Sequence, residues 1–357
     1  MPADPQHATL PGKDSSQLPR LRVAVAGYGY WGPNLARNAA QNASIDLVAV
    51  ADPDPKRLAS ARNLYPGIHL TADTLALFAD PAIDAVLIAT PPETHCKLVL
   101  EALARGKHVL VEKPLATNED DALRMAADAR EAGRVLAVDH TFLFTPAVQK
   151  MKSYFDAGEM GEVYYYDSTR INLGIFQTHS NVIWDLAPHD ISIMLYLLNE
   201  PVKSVSAFGA RHVDLSNENI AYLTLQFESS LLAHFHVNWL APTKIRRTII
   251  GASRKMLVYD DVEPDEKLKV YDSGAQLAAA NVEEIYGKLV EYRTGDVLAP
   301  RLDRTEALAA EMEHFVRVIR GQEQPISDGE FGVKVVRIID AAQRSLKNGG
   351  VPEPVHQ

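Results

Sequence analysis

Asp185 and His189, four residues apart in Trp184-Asp-Leu-Ala-Pro-His-Asp190, have the types and spacing of an acid/base pair. On a helix, positions i and i+4 share a face, so both side chains can point into one crevice. An imidazole that titrates near neutrality can take a proton from a hydroxyl. The carboxylate can orient the ring or share the transfer. Pro188 places the pair in a first helical turn, where its missing N–H is harmless. A third candidate, Lys113, follows an apolar run and precedes Pro114. The residue before a proline is held extended, and a cis bond is possible there, so this lysine has a fixed direction. Its ammonium can polarise a substrate hydroxyl or carbonyl. In isolation the three read as a capping aspartate, a core histidine and a turn lysine; a nucleotide site beside them reverses that reading.

Such a site is written between Leu21 and Asp52. The apolar run Val23-Ala24-Val25-Ala26 has the length and composition of a buried strand. Gly27-Tyr-Gly29-Tyr30-Trp31-Gly32 follows at once, and Pro33 to Ala40 reads as a helix. Gly27 allows the tight turn, Gly29 lets backbone amides approach a pyrophosphate, and Gly32 lets helix and strand pack closely. Tyr30 and Trp31, inside the turn, count with the cofactor contacts. A second apolar run ends at Asp52, about twenty residues past the last glycine, as a dinucleotide fold requires. A carboxylate there accepts from both adenosine-ribose hydroxyls and repels a 2′-phosphate, which favours NAD over NADP. Arg57 is near enough in the chain to soften that repulsion, although a solvated helix face is the simpler reading.

The alternation continues to about His140. Strands at Ala85–Ala89, His108–Val111 and Val135–Val138 are spaced by helices at Lys56–Tyr65, Leu75–Ala79, Cys96–Arg105 and Glu119–Ala132. That pattern means a parallel sheet covered on both faces, with ligands beyond the strands' carboxyl ends. Thr90-Pro91-Pro92, His95, Glu112 and Lys113 sit at such ends. After His140, seven runs alternate with period two: 162–172, 202–211, 220–227, 231–239, 246–251, 256–259 and 267–271. The expected architecture is α/β: a Rossmann dinucleotide-binding domain over 21–140, then an α+β domain over 141–328 with an open-faced antiparallel sheet. Residues 329–350 form a helix that packs back on the first domain, and residues 1–20 read as a disordered leader.

Composition narrows the function classes. A net charge of −10 disfavours nucleic acid or an anionic membrane as partner. No apolar run reaches the length of a membrane span. The single cysteine, Cys96, excludes an internal disulfide and fits a reducing compartment, which makes the cytoplasm the default expectation. His234 and His236 share a strand face, and a metal site with Asp185 and His189 is conceivable; no second ligand cluster accompanies them, so no metal is expected. Arg170, Asn172, His179, Trp239 and Arg246 are candidates to line the open sheet. There an arginine suits a diphosphate and a tryptophan suits a sugar or base face.

With the glycine turn, Glu112-Lys113-Pro114 and Asp185-xxx-His189 in hand, the chain resembles the glucose–fructose oxidoreductase/inositol dehydrogenase family from Leu21 to about Gly349. The resemblance implies that Lys113 contacts substrate and nicotinamide, that His189 is the acid/base beside Asp185, and that the Thr90-Pro91-Pro92 turn and His95 lie near the dinucleotide. It also implies a homo-oligomer, dimer or tetramer, built through the open sheet. Asn172-Leu-Gly, Asn181 to Asp190 and Lys255 to Asp261 are similar to members that oxidise the C3 hydroxyl of nucleotide-linked sugars such as UDP-N-acetylglucosamine. Their 3-keto products feed aminotransferases in cell-surface glycan or lipid A synthesis. The alternatives are an inositol or free-sugar dehydrogenase, an NAD-dependent glycoside hydrolase that recycles its cofactor, and a non-catalytic NAD-binding regulator.

Overall fold

The computed structural model describes residues 18–174, 180–213, 217–277 and 290–356. The first half comprises β1 (Leu21–Ala26), α1 (Gly32–Gln41), β2 (Ile45–Ala51), α2 (Pro55–Leu64), β3 (His69–Thr71), α3 (Thr74–Ala79), β4 (Ala85–Ile88), α4 (His95–Ala104), β5 (His108–Glu112), α5 (Glu119–Glu131) and β6 (Leu136–Asp139). These strands form one parallel sheet in the order β3-β2-β1-β4-β5-β6. β1 and β4 are buried on both faces, which is why they read as continuous apolar runs rather than alternating ones. Strand order reverses between β1 and β4, and the crevice at that switch is where a dinucleotide lies in such sheets.

A short helical turn at Thr141–Phe144 leads into α6 (Pro146–Asp156). Then follow β7 (Val163–Leu173), α7 (Val182–Leu197), β8 (Val202–Ala210), β9 (Ile220–Phe227), β10 (Leu232–Asn238), β11 (Leu240–Ala252), β12 (Met256–Asp260), β13 (Leu268–Tyr271), β14 (Gly274–Leu277), β15 (Val290–Arg293), β16 (Val297–Leu298), α8 (Ala307–Ile319), α9 (Gly329–Lys347) and β17 (Glu353–Pro354). The large sheet runs β16-β13-β12-β11-β7-β10-β9-β8-β17. It is mixed rather than wholly antiparallel, because β10 lies parallel to β7 at its centre. Period-two patterning places side chains on faces but carries no strand direction.

Two helices depart from the expected domain division. α8, assigned to the second domain by position, packs on the first: Leu308, Met312, Phe315 and Val316 join Val23, Val25, Leu35, Leu87 and Leu110 in one core. α9 bridges the halves. Val333 and Val336 belong to the first domain's core, whereas Val335, Ile338 and Ile339 belong to the second's. Arg337 pairs with Glu119 at 2.6 Å and Arg130 with Glu330 at 2.8 Å, fastening α9 along α5. The expected leader is described only from Leu18; residues 1–17 lie outside the described residues.

Candidate active site

The glycine turn has little room for anything else. Gly27 adopts φ +93°, and a Cβ there would fall 2.5 Å from the Ala89 carbonyl oxygen. A Cβ on Gly32 would lie 2.1 Å from the Gly27 carbonyl oxygen, so α1 closes directly onto the turn. At Gly29 only the tip of Arg57 is near, at 3.6 Å, which leaves backbone free to meet a ligand. The Asp52 carboxylate accepts the Tyr28 N–H at 2.6 Å and the Asp54 N–H at 2.8 Å. Arg57 is more than a solvated residue: its Nη1 lies 3.4 Å from Asp52 Oδ2 and covers that carboxylate, which is 1% exposed. Tyr30 is 86% exposed, while the Trp31 indole turns inward and donates to Asp139 at 2.7 Å. These residues fit a dinucleotide, with backbone open at Gly29 and an acid at the end of β2.

His95 differs from expectation. It is fully buried, with Nδ1 2.9 Å from the Pro114 carbonyl and Nε2 3.0 Å from that of Thr90. It ties two strand-end turns together instead of facing a ligand. Thr90, with its hydroxyl 2.6 Å from that of Thr94, and Pro91 and Pro92 remain at the rim of the crevice. Glu112 accepts the Lys113 N–H at 3.2 Å and turns into the interior. The Lys113–Pro114 bond is cis.

Lys113 crosses to the second domain. Its Nζ donates to the Asp185 carbonyl at 2.9 Å and lies 3.6 Å from Asp185 Oδ1. The helix that carries Asp185 starts earlier than Pro188 implied, with Asn181 capping the N–H groups of Ile183 and Trp184. Pro188 therefore sits inside α7, where it leaves the Trp184 carbonyl without its helical N–H; the next carbonyl along is the one Lys113 takes. Asp185 Oδ2 accepts the Trp239 indole N–H at 2.9 Å. No side-chain hydrogen bond joins Asp185 to His189 among the described residues. The aspartate holds the lysine and the tryptophan, not the imidazole.

His189 lies against Phe142, with ring centroids 5.0 Å apart and planes at 70°. Burial pushes its pKa well below the ordinary histidine value, and the cations Lys113, Arg170 and Arg246 push the same way. The imidazole is neutral at physiological pH and ready to accept a proton. Behind it lies His140, 1% exposed, its pKa pushed down to about 4 mainly by burial.

The sheet face that carries these groups is the covered one, not the open one. Arg170 is 2% exposed and gives both its donors to Asp190, at 2.6 and 3.0 Å. It is therefore neutralised within the fold and unavailable to a diphosphate. Trp239 is wholly buried and offers no sugar platform. Arg246 pairs with Arg170 in the β7–β11 register and shares its face. Its Nη1 donates to Asp261 at 3.1 Å, and its Nε has no partner among the described residues. Both guanidiniums lie over Phe142, 4.5 Å from the ring centroid for Arg170 and 5.5 Å for Arg246. Asn172 is half-buried on the same face, two residues beyond Arg170. His179 lies outside the described residues. His234 and His236 stack on Tyr222 on the opposite face, at 6.1 and 4.4 Å, away from Asp185 and His189.

Sequence reasoning missed Phe142, Asp190 and Asp139. Asp190 had a signal, since it follows His189 directly. Phe142 had none, because an aromatic in a short turn looks like any core residue.

Residues 21–140 match the model of an oxidoreductase family with an NAD-binding Rossmann fold, and residues 148–257 match the GFO/IDH/MocA C-terminal domain. The scyllo-inositol 2-dehydrogenase (NAD(+)) of Bacillus subtilis is 28% identical over 349 residues, spanning 92% of this chain and 95% of that protein. A chain of known structure from Magnetospirillum magnetotacticum is 30% identical, with a TM-score of 0.76, covering 90% of this chain and 99% of that one. The UDP-N-acetylglucosamine 3-dehydrogenase of Acidithiobacillus ferrooxidans shares the fold, with a TM-score of 0.78 at 24% identity over 93% of this chain and 99% of that one.

Proposed function

The chain belongs to the Gfo/Idh/MocA family of NAD-dependent oxidoreductases, and from that premise we propose that it oxidises a secondary hydroxyl of a nucleotide-linked sugar. The substrate proposed is UDP-N-acetylglucosamine or a related UDP- or dTDP-sugar, attacked at C3. When bound, NAD supplies the hydride acceptor. Gly27, Gly29 and Gly32 cradle its pyrophosphate, Asp52 and Arg57 face its ribose, and the Thr90–Pro92 turn flanks it. Neutral His189 takes the hydroxyl proton. Lys113, aimed by Asp185, holds the reacting oxygen and stabilises the negative charge that develops there. Arg170 and Asp190 support the Phe142 ring against which His189 rests.

The observation that supports a sugar nucleotide is Arg246. Asp190 answers Arg170 and Asp185 answers Lys113, but Asp261 is shared by Arg246, by Lys267 Nζ at 3.5 Å and by the Tyr259 hydroxyl at 3.1 Å. One guanidinium is thus left only partly matched. A neutral cyclitol has no use for it, whereas a diphosphate accepts from it directly. Phe142 lies against both His189 and Arg246, so the base and the cation stand beside one ring. The inositol reading keeps the support of the full-length Bacillus relative.

One experiment separates the two. NADH formation is followed with UDP-sugars, dTDP-sugars and inositols, with a trap for the keto product. Wild type is expected to turn over a nucleotide sugar, and Arg246→Ala to raise its KM by about tenfold or more at little cost in kcat. Turnover of inositols alone, unaffected by Arg246→Ala, would assign the polyol instead.

A dimer or tetramer through the open face of the large sheet completes the proposal. That face exposes Tyr165, Phe208, Tyr222 and Leu232, an apolar area of the kind subunit contacts use. Sedimentation equilibrium is expected to find more than one chain per particle, and a monomer at micromolar concentration would remove this part of the reading.

A further inference from the structure

Three carboxyl groups meet behind Lys113. Glu112 and Asp139 face each other at the paired ends of β5 and β6, and Glu311 reaches them from the second turn of α8. Asp139 and Glu311 are each 2% exposed. Among the described residues no cation forms an ion pair with them: Lys113, whose charge is felt by Glu112, gives its ammonium to Asp185. Asp139 is well supplied with donors: the Trp31 indole at 2.7 Å, the Thr141 N–H at 3.2 Å and the Thr141 hydroxyl. Glu311 has none. Both of its oxygens, and one of Glu112's, are buried without a donor among the described residues.

A buried carboxylate without donors is strongly disfavoured in its charged form, and like charges in contact do not ionise together. Hydrogen-bond accounting therefore makes Asp139 the anion and gives protons to Glu112 and Glu311, each of which then donates to Asp139. The electrostatics agree. Burial and the neighbouring Asp139 charge push Glu112 and Glu311 well above the ordinary carboxyl range. Burial pushes Asp139 up as well, but hydrogen bonds from Glu112, Glu311, Thr141 and Trp31 outweigh it and hold its pKa low.

We propose that Glu311 is a positioning residue for the dinucleotide site: as a neutral carboxyl it donates to Asp139, which in turn holds the Trp31 indole and so the glycine turn. α8 is anchored to α1 nearby, where Arg37 donates to both oxygens of Glu306 at 3.0 and 2.6 Å. The helix is thus tied to α1 at its surface and approaches the glycine turn in its core through Asp139. The inference depends on NAD binding and not on which sugar is oxidised.

The test measures the NAD dissociation constant of the full-length protein by titration calorimetry between pH 6 and 10. Glu311→Leu keeps the volume and removes the donor; it is expected to weaken NAD binding about tenfold with Tm largely retained. Glu311→Gln keeps an N–H donor for Asp139 and is expected to stay within about threefold of wild type. Wild type is expected to lose affinity at alkaline pH, as Glu311 ionises against Asp139, and Glu311→Gln to lack that part of the loss. Glu112, Lys113, His140 and His314, the other titrating groups facing this corner, are present in both proteins and cancel in the comparison. Unchanged affinity in Glu311→Leu, or equal weakening in Glu311→Gln, would overturn the inference. If Glu311→Leu does not fold, identical alkaline profiles for wild type and Glu311→Gln would overturn it alone.

Discussion

Replacing His189 with alanine is expected to lower turnover by about a thousandfold while leaving NAD affinity within about threefold. Burial first, and then the charges of Lys113, Arg170 and Arg246, hold the imidazole's pKa well below the ordinary value. It rests edge-on against Phe142 rather than on the glycine turn, so its loss removes a proton acceptor without disturbing the cradle that holds the dinucleotide. The pH profile supplies the sign. Because burial and the neighbouring cations hold the folded-state pKa below the ordinary histidine value, the base stays free as pH falls through neutrality, and the acid limb of kcat/KM is expected on the acid side of an ordinary histidine's. The limb should disappear in His189→Ala together with most of the rate. Steady-state kinetics with the best substrate of the panel and a separate NAD titration measure both quantities. Near-normal turnover in the variant would remove His189 as the base.

The largest stability effect is expected at Asp190. Its carboxylate and the Arg170 guanidinium form a two-pronged pair with side chains 5% and 3% exposed. Arg170 cannot shed its charge, so Asp190→Ala leaves a bare guanidinium in the interior, at a cost of about 3–5 kcal/mol. Tm is expected to drop by roughly 10 °C. Removing both partners in Arg170→Met/Asp190→Ala should recover much of that loss, because an apolar pair avoids the unpaired charge. Activity is expected to stay low in the double variant, since the guanidinium that lies 4.5 Å over Phe142 is gone. Differential scanning calorimetry of the two variants checks the stability claim. Equal destabilisation in single and double variants would contradict it.

The division between legible and hidden features follows the range of the interactions. The glycine turn, the acid at the end of β2 and the lysine before Pro114 were readable because each depends on a few adjacent residues with special backbone demands. The strands of the second domain were readable for a similar reason: a half-buried strand writes period two into its own sequence. Strand direction was not, and the parallel β7–β10 pair appears only when α7 and the connections are placed.

The site divides the same way. The i, i+4 spacing of Asp185 and His189 puts them on one face of α7, but it does not make the imidazole the partner of the carboxylate. Two side chains on one helical face also have neighbours from other elements, and here Lys113 and the Trp239 indole claim the aspartate. Arginines 170 and 246 looked equivalent, each a cation on a strand. Burial against Asp190 silences one, and an overshared Asp261 leaves the other available. Glu311 carried no signal, because a glutamate in an amphipathic helix ordinarily faces water.

By itself, then, the sequence determined the fold class, the glycine turn and the three residue types of the proposed reacting centre, all encoded in contacts within a few residues. Which charges are paired, which face of the large sheet carries the site, and which distant helix reaches the glycine turn were decided by tertiary packing. Electrostatic and hydrogen-bond partners depend on proximity in space, and proximity between residues nearly three hundred positions apart has no local trace.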